Sequence, residues 1–340
     1  MRTLVFFVLF LSVLQTAAHA QGASTPEETR AKALQALEAN RTDEAIALLQ
    51  PLIAQKPPVK GAEHDLGMIY YRTGKLIEAQ KAFAEAMRED NADQESVQME
   101  GFTLYRLGQY ADAIPYLDKV RQWMPGANAD ASYVLGLCYL NARRYDEARS
   151  AFAVQFGVPP ESGSAYLILA TMLRHINLPE QAGEQARKAL QISPNLPMAH
   201  FQLAEIALLQ ADVNLAIDEL EAERRINPDY APLYDRLGDA YLRLGKLDDA
   251  QQSLSKAISL DTSITGAYTK MGKVLMHRHE PHTALLYLKH AEKMDPDDYS
   301  IHALLAQAYH LTGQEEDAKK ENAQAMKAQA QKQLILEPAK

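Results

Sequence analysis

Residues 70–90 read YYRTGKLIEAQKAFAEAMRED, and residues 241–261 read YLRLGKLDDAQQSLSKAISLD. Nine of the 21 aligned positions are identical, although the two segments begin 171 residues apart. A motif written twice in one chain at such a distance indicates an internal repeat, and the period of a repeat decides the whole architecture.

The alanine in the middle of this motif reveals the period. It recurs nine times, and seven of the eight spacings are 34 residues while one is 35. The positions are Ala45, Ala79, Ala113, Ala148, Ala182, Ala216, Ala250, Ala284 and Ala318. We expect the turn sequence PGANAD, residues 125–130, to absorb the one extra residue. The chain is therefore predicted to contain nine repeats, numbered 1–9 from the N-terminus.

Four further positions keep one type of residue in most repeats. Four residues after the alanine, seven repeats have Leu or Phe. Five residues before it, six repeats have Gly or Asn, and twelve residues after it, six repeats have Pro. Twelve residues before the alanine, all nine repeats have a small residue: Ala33, Gly67, Gly101, Gly136, Ala170, Ala204, Gly238, Gly272 and Ala306.

Each of these preferences has a physical reason. Apolar residues in both halves of a repeat recur at i, i+3, i+4 and i+7, the period of an amphipathic helix. Gly or Asn adopts the left-handed conformation that ends a helix, and Pro ends the next helix because it lacks an N–H. Small residues at two fixed positions allow the two helices to approach closely. Each repeat is thus predicted to be a hairpin of a first helix and a second helix.

Three segments carry a family resemblance: LGMIYYRTGKLIEAQKAFAEA, LGDAYLRLGKLDDAQQSLSKA and LGLCYLNARRYDEARSAFA. They resemble the tetratricopeptide repeat (TPR), a 34-residue helix hairpin, and the resemblance covers residues 26–335. It implies an all-α, right-handed superhelical solenoid of about nine hairpins, whose first helices line a concave groove that holds a protein or peptide segment. Lys32 replaces the usual leucine in repeat 1, and Asn322 replaces a core residue in repeat 9. Both changes suit terminal repeats, which face water.

The N-terminal segment has the pattern of a secretory signal peptide. Arg2 precedes an apolar run of 11 residues, and small residues Ala18 and Ala20 flank His19 before the expected cleavage point. An uncleaved anchor is the alternative, but this run is about half of the roughly 20 residues that a span needs. We therefore expect an exported protein, most simply periplasmic, with an extracellular location left open, and no membrane span after cleavage.

The expected organisation follows from these two readings. Residues 1–20 form the signal peptide, residues 21–25 a short tail, residues 26–335 the solenoid with a solvating last helix, and residues 336–340 a C-terminal tail. Thr25, Pro26 and Glu28 are an N-cap, a first-turn proline and a capping-box glutamate for the first helix.

Charge and cysteine content exclude some classes of protein. The net charge of −9 disfavours binding to nucleic acid and to anionic membrane, which both need a basic excess. The single cysteine, Cys138, cannot form an internal disulfide and is predicted to be a buried apolar residue. The oligomeric state stays open.

The stripe beside the core positions of the first helices should face the groove. Arginine and tyrosine, which are enriched at binding hot spots, recur along it. A solvated surface of the same composition is the alternative reading. The predicted partner-binding residues are Tyr71, Arg72, Tyr105, Arg106, Tyr133, Arg174, Arg236 and Lys273, and Phe201 and Asp235 lie on the same stripe.

We find no sequence pattern for chemistry and expect no enzyme activity, cofactor or metal site. His277, His279 and His282 are the densest histidines, but they lie at an expected turn and lack zinc-site spacing. The favoured function is a non-enzymatic scaffold that binds a protein or peptide segment in the cell envelope. The alternatives are a glycan or cell-wall polymer binding protein, or a subunit of a secretion, polysaccharide-export or cytochrome-maturation assembly. A catalytic protein ranks last.

Overall fold

The computed structural model of the protein describes residues 24–123 and 129–336, and these residues form eighteen α-helices and no strand. The predicted signal peptide, most of the PGANAD turn and residues 337–340 lie outside the described residues. The helices are α1 (Pro26–Glu38), α2 (Thr42–Ile53), α3 (Ala62–Arg72), α4 (Leu76–Glu89), α5 (Gln94–Arg106), α6 (Tyr110–Trp123), α7 (Ala129–Asn141), α8 (Tyr145–Phe156), α9 (Gly163–His175), α10 (Pro179–Ile192), α11 (Ala199–Leu209), α12 (Val213–Ile226), α13 (Ala231–Arg243), α14 (Leu247–Leu260), α15 (Thr265–His277), α16 (Pro281–Met294), α17 (Tyr299–Leu311) and α18 (Glu315–Leu336).

The helices pair in chain order, within two compact bodies. The N-terminal body ends at Trp123 and contains α1–α6, and the C-terminal body contains α7–α18. In each body, a first helix packs against the second helix of its own repeat, and that second helix packs against the first helix of the next repeat. The predicted all-α fold of nine helix hairpins is confirmed.

Close contact between a small and a large residue holds each hairpin together. A Cβ atom added at Gly136 would lie 2.5 Å from the ring of Phe152, and one added at Gly238 would lie 2.5 Å from Leu254. Both distances are far below van der Waals contact, so any larger residue there would force the facing side chain to move. The same relation joins Gly67 to Phe83, Gly101 to Leu117 and Gly272 to Leu288.

The nine alanines that define the period are buried, with exposed fractions of 4% or less. Repeat 5 lacks the usual size difference, since Ala170 lies in one buried cluster with Ala186, where seven other repeats have Leu or Phe. In the C-terminal body, buried apolar residues form a continuous cluster from Phe201 to Ala318. The core therefore runs from hairpin to hairpin, as expected for repeats that bury one another's apolar faces.

The turn inside each hairpin uses a left-handed residue in all nine repeats, with φ between +57° and +77°. Six of these residues are the predicted Gly or Asn, and the other three are Arg143, Ala211 and His279. The next N–H closes the turn: that of Arg144, for example, donates to the carbonyl of Tyr139 at 2.8 Å. This hydrogen bond of the Schellman type holds a conformation that costs a non-glycine residue about 1–2 kcal/mol.

The predicted helix ends are also confirmed. The Thr25 hydroxyl accepts a hydrogen bond from the Glu28 N–H at 3.2 Å, and the Glu28 carboxylate accepts one from the Thr25 N–H at 3.1 Å. Pro194, Pro228 and Pro296 each lie two residues beyond the end of a second helix, whereas Pro57 and Pro160 lie four residues beyond theirs. Local sequence thus sets where helices begin and stop.

Two further expectations concern apolar segments. Cys138 is fully buried, and burial raises the pKa of its thiol to about 12, so the thiol stays protonated and inert. Among the helices of the described residues, none combines the length and the hydrophobicity needed to cross a bilayer.

Glu100 is a departure from the repeat that the sequence analysis missed. It is 3% exposed and occupies a core position of α5 that six other repeats fill with leucine: Leu66, Leu135, Leu169, Leu203, Leu237 and Leu305. Its Oε2 atom has no hydrogen-bond partner among the described residues. Burial raises the pKa of Glu100 to about 7, and a hydrogen bond from Gln80 opposes that rise in part.

Glu100 should make stability depend on pH. In the unfolded chain its pKa lies near the ordinary 4.5, so the unfolded state releases the proton first as the pH rises. We expect the free energy of unfolding of the wild type to fall between about pH 4.5 and 7, by roughly 3 kcal/mol at most, and then to level off. Glu100→Gln should remove this fall, which urea unfolding across that pH range will measure. Parallel pH profiles for the two proteins would contradict the assignment.

Candidate functional site

The first helices of neighbouring repeats contact one another as well as their second helices. In the N-terminal body α1 contacts α3 and α3 contacts α5, and in the C-terminal body α9 contacts α11, α13 contacts α15 and α15 contacts α17. The predicted partner-binding residues lie on these first helices, except Tyr133, which lies on α7. We call the surface that they form in each body its first-helix face.

In the N-terminal body, the first-helix face brings Tyr71 and Arg106 together. The guanidinium carbon of Arg106 lies 4.6 Å from the centroid of the Tyr71 ring, and Nη1 of Arg106 donates to the Tyr71 carbonyl at 2.9 Å. Arg106 is exposed, and the Tyr71 ring is half-buried against the core. A cation above an aromatic ring is held by the ring quadrupole, so these two predicted residues form one preorganised contact between α3 and α5.

Arg72 and Tyr105 lie on the same face. Arg72 is exposed and forms no hydrogen bond or ion pair with any described residue. The ring of Tyr105 is half-buried and lies 5.7 Å from that of Tyr110, so it leans toward its own second helix. This part of the face therefore presents one unpaired cation beside a cation already seated on an aromatic ring.

In the C-terminal body, ion pairs within the chain join neighbouring first helices along the first-helix face. Glu205 on α11 lies between two predicted residues, 3.9 Å from Arg174 on α9 and 2.5 Å from Arg236 on α13. Arg236 also contacts Asp235 at 3.1 Å, and Lys270 on α15 contacts Asp235 at 2.7 Å. We call these five residues the charge ladder, because opposite charges alternate across four successive first helices.

Within the charge ladder, the two arginines that were predicted to bind a partner already have charge and hydrogen-bond partners from the same chain. Nε of Arg174 donates to the Gln202 amide oxygen at 2.8 Å. Burial lowers the pKa of Arg236, but the charges and hydrogen bond of Glu205 and the charge of Asp235 outweigh it, and the net shift is upward. These guanidinium groups therefore hold neighbouring repeats together.

The other residues of the predicted stripe differ in burial and in the residues that they contact. Tyr133 is half-buried, with its ring 5.8 Å from that of Phe152 in its own hairpin. Phe201 is 8% exposed and packs edge-on against Tyr230, so its placement in an open groove was wrong. Asp235 is likewise buried, within the charge ladder. Lys273 is half-buried and has no ion-pair partner among the described residues.

Sequence reasoning missed Glu205, Gln202 and Lys270. The signal was present as opposite charges near one repeat length apart: Arg174 and Glu205 are separated by 31 residues, as are Glu205 and Arg236, and Asp235 and Lys270 by 35. Because neighbouring first helices lie side by side, such spacings mark facing positions. Composition along a single helix does not show them.

The histidines singled out by the sequence lie at the surface, around the turn that joins α15 and α16. His277, His279 and His282 are exposed, and His279 is the left-handed residue of its turn. They are not among the described groups of three side chains whose ligand atoms converge. Their position agrees with the reading of this segment as a surface turn.

Three family models match the chain, and each is described as the tetratricopeptide repeat. They cover residues 104–171 and 275–335, residues 231–263, and residues 30–95, which together are more than half of the chain. The chain belongs to the tetratricopeptide repeat family. The resemblance inferred from the nine-fold alanine register is thereby confirmed.

Three curated relatives match parts of the chain. The chain is 36% identical over 74 residues, 22% of its length, to anaphase-promoting complex subunit 3 of Dictyostelium discoideum. It is 25% identical over 187 residues, 52% of its length, to cellulose synthase 1 operon protein C of Komagataeibacter xylinus. It is 23% identical over 219 residues to a TPR repeat-containing protein of Methanocaldococcus jannaschii. The chain spans only 8%, 14% and 38% of these relatives.

Solved TPR structures are similar at low sequence identity. YrrB, described as a TPR protein with an unusual peptide-binding site, is 21% identical, with 56% of this chain and 97% of that chain covered and a TM-score of 0.46. The complex of Cut9 and Hcn1 is 17% identical, with 84% of this chain and 56% of that chain covered and a TM-score of 0.46. MamA is 23% identical, with 48% of this chain and 95% of that chain covered and a TM-score of 0.44.

Glu205 should be needed for the stability of the C-terminal body. Glu205→Gln removes the charge between Arg174 and Arg236, and the two guanidinium groups then repel each other at a half-buried position. We expect the free energy of unfolding to fall by roughly 1.5–3 kcal/mol, the range for hydrogen bonds to charged groups. Chemical unfolding followed by circular dichroism will measure the difference.

Glu316→Gln is the matched control for that measurement. Glu316 pairs with Lys319 at 2.7 Å within α18, and this pair is more exposed than the charge ladder. Exposed pairs within one helix contribute only about 0.3–0.5 kcal/mol. Equal effects of the two substitutions would show that Glu205 does not link neighbouring repeats.

Proposed function

We propose that this protein is a non-enzymatic TPR scaffold and that the first-helix face of its N-terminal body binds a segment of another protein. The observation that carries the proposal is the unpaired Arg72 beside the Tyr71–Arg106 contact. Membership of the TPR family supports the scaffold role, because stacked helix hairpins supply extended surfaces for holding partner segments.

The chemistry of this surface indicates what the partner segment carries. Arg106 is held by the Tyr71 ring and carbonyl, so little side-chain entropy remains to be lost when it binds. Arg72 offers a second guanidinium with all its donors free among the described residues. Guanidinium groups bind carboxylates in a bidentate manner, so the segment should place an acidic side chain or a chain terminus against them.

The contrast with the C-terminal body favours the N-terminal body as the binding surface. In the charge ladder, Arg174 and Arg236 already have carboxylate partners from the same chain. A partner would have to displace those carboxylates, which would leave buried charges unpaired. Among the predicted binding residues of the C-terminal body, Lys273 is a cation that pairs with no carboxylate of the described residues.

A pull-down with matched variants tests the proposal. The bait chain, residues 21–340, is immobilised and exposed to a cell-envelope extract, and bound proteins are quantified by mass spectrometry. We expect at least one protein to be retained by the wild type and reduced at least about tenfold by Arg72→Ala with Arg106→Ala, since loss of hot-spot residues costs 2 kcal/mol or more. Direct titration of that protein then confirms the difference.

Lys81→Ala with Arg88→Ala is the control bait. It removes the same net charge from exposed positions of the second helix α4, away from the first-helix face. If the three baits retain the same proteins in equal amounts, the first-helix face of the N-terminal body is not the binding surface. If only soluble cell-wall glycans bind and Arg72 matters for that binding, the glycan alternative replaces the protein partner.

The envelope location is a further part of the proposal, supported by the signal-peptide pattern of residues 1–20. When the full chain is expressed in a bacterium, we expect the periplasmic fraction to contain a protein that begins at Gln21, as read by N-terminal sequencing. Replacing Ala18 and Ala20 with lysine should block cleavage, because the cleavage site requires small residues. An uncut chain in the wild type would overturn the cleavage prediction.

A further inference from the structure

Three ligand-bearing side chains converge in the C-terminal body, where the last hairpin packs against α16. Glu292 on α16, His302 on α17 and Glu321 on α18 each place one ligand atom within 4.8 Å of the others. His302 is 5% exposed and Glu321 is 7% exposed, whereas Glu292 is half-buried. Three helices thus contribute one side chain each to a single point.

The His302 ring is held in one orientation. Its Nε2 atom lies 2.8 Å from the carbonyl of Pro296, and a carbonyl can only accept, so Nε2 carries a hydrogen and donates it. The equivalent carbonyl two repeats earlier, that of Pro228, accepts from the Tyr234 hydroxyl at 2.8 Å. Nδ1 is therefore the ring atom that faces the carboxylates, 2.7 Å from Oε2 of Glu321.

Repeat 6 provides an internal comparison. There His200 and Glu219 occupy the positions of His302 and Glu321, and their Nδ1 and Oε2 atoms lie 2.6 Å apart. The position of Glu292, however, is Leu190 in that part of the fold. One carboxylate therefore faces the imidazole in repeat 6, and two face it in repeat 9.

The second carboxylate leaves the repeat 9 cluster with excess negative charge. Glu292 has no hydrogen-bond or ion-pair partner among the described residues. The nearby cation of Lys289 lies over the Tyr309 ring, 5.1 Å from its centroid. Two carboxylates beside one imidazole stay negative even if the ring is protonated, and charge that is buried needs a partner or a metal ion. The cluster is thus short of positive charge at its centre.

We propose that Glu292, His302 and Glu321 bind one divalent transition-metal ion of the Zn²⁺ type. One imidazole nitrogen and carboxylate oxygens are ligands that zinc accepts, and water completes the coordination. The Pro296 carbonyl supplies the outer hydrogen bond that metal-bound histidines regularly make with their second nitrogen. In repeat 6 the same pair lacks the third ligand and is an ion pair alone.

The ion would fasten the last helix to the hairpin. Asn322 stands where the other repeats have an apolar residue facing the small residue of the first helix, and it is exposed. Repeat 9 therefore lacks the large apolar side chain that faces the first helix in seven other repeats. A metal ion bound by α16, α17 and α18 compensates by joining three helices at one point, and it stabilises the folded state by mass action.

Zinc binding to the full chain tests the proposal. The protein is stripped with a chelator, exchanged into metal-free buffer at neutral pH and titrated with ZnCl₂ by calorimetry. We expect one equivalent to bind the wild type, and the affinity to fall by more than about tenfold in Glu292→Gln, since loss of a direct ligand costs at least as much as loss of an outer-shell partner. Glu292 is half-buried and unpaired, so this variant should fold, as circular dichroism will verify.

Two controls distinguish this site from others. His200→Gln alters the matched pair of repeat 6 and should leave zinc binding unchanged. In hydrogen exchange, zinc should slow exchange of amides in α18 of the wild type but not of Glu292→Gln. The proposal is overturned if the wild type takes up no zinc, or if Glu292→Gln binds as tightly as the wild type. It is equally overturned if binding is lost only when His277, His279 and His282 are replaced by asparagine.

Discussion

The contact between a small residue of the first helix and a large residue of the second is the constraint on which this molecule depends. At Gly136 and Gly238 the helix backbones are so close that even a methyl group would collide with the facing side chain. Close approach aligns each hairpin in the same way, so the apolar faces of successive repeats meet in register. The positions of the first-helix faces, and of every side chain on them, follow from that alignment.

Ion pairs join neighbouring first helices in both bodies, as between Arg30 and Asp65 in the N-terminal body, but the two faces differ in which arginines are left unpaired. In the C-terminal body, the arginines of the charge ladder are paired with carboxylates of the same chain, and these ion pairs hold neighbouring repeats together. In the N-terminal body, Arg106 is held on Tyr71 while Arg72 keeps its donors free. An arginine on a first helix is thus structural where an acidic neighbour faces it and available where none does, because a guanidinium that is already paired within the chain would have to lose that partner in order to bind another.

Departures from the repeat pattern give individual hairpins their own chemistry. A leucine position holds Glu100 in repeat 3, and burial raises the pKa of this carboxyl to about 7. The imidazole–carboxylate pair that recurs in repeats 6 and 9 meets a second carboxylate only in repeat 9, where Glu292 stands at the position that Leu190 occupies beside repeat 6. Since the repeats share one backbone fold, a residue in one repeat can be compared with the residues at the same position in the other eight.

The sequence by itself determined the number of hairpins, their turns and their helix ends, because these depend on residues a few positions apart: Thr25 with Glu28, or Gly245 at its left-handed turn. Only the tertiary structure decided which exposed-looking charges are free. Arg174 and Arg236 matched the binding pattern by type and spacing, yet Glu205 pairs with both across neighbouring helices. The burial of Glu100 and the convergence of Glu292, His302 and Glu321 also depend on how helices from different parts of the chain face one another. The repeat period along one helix does not specify how neighbouring helices face one another, since that register is set by the packing between helices.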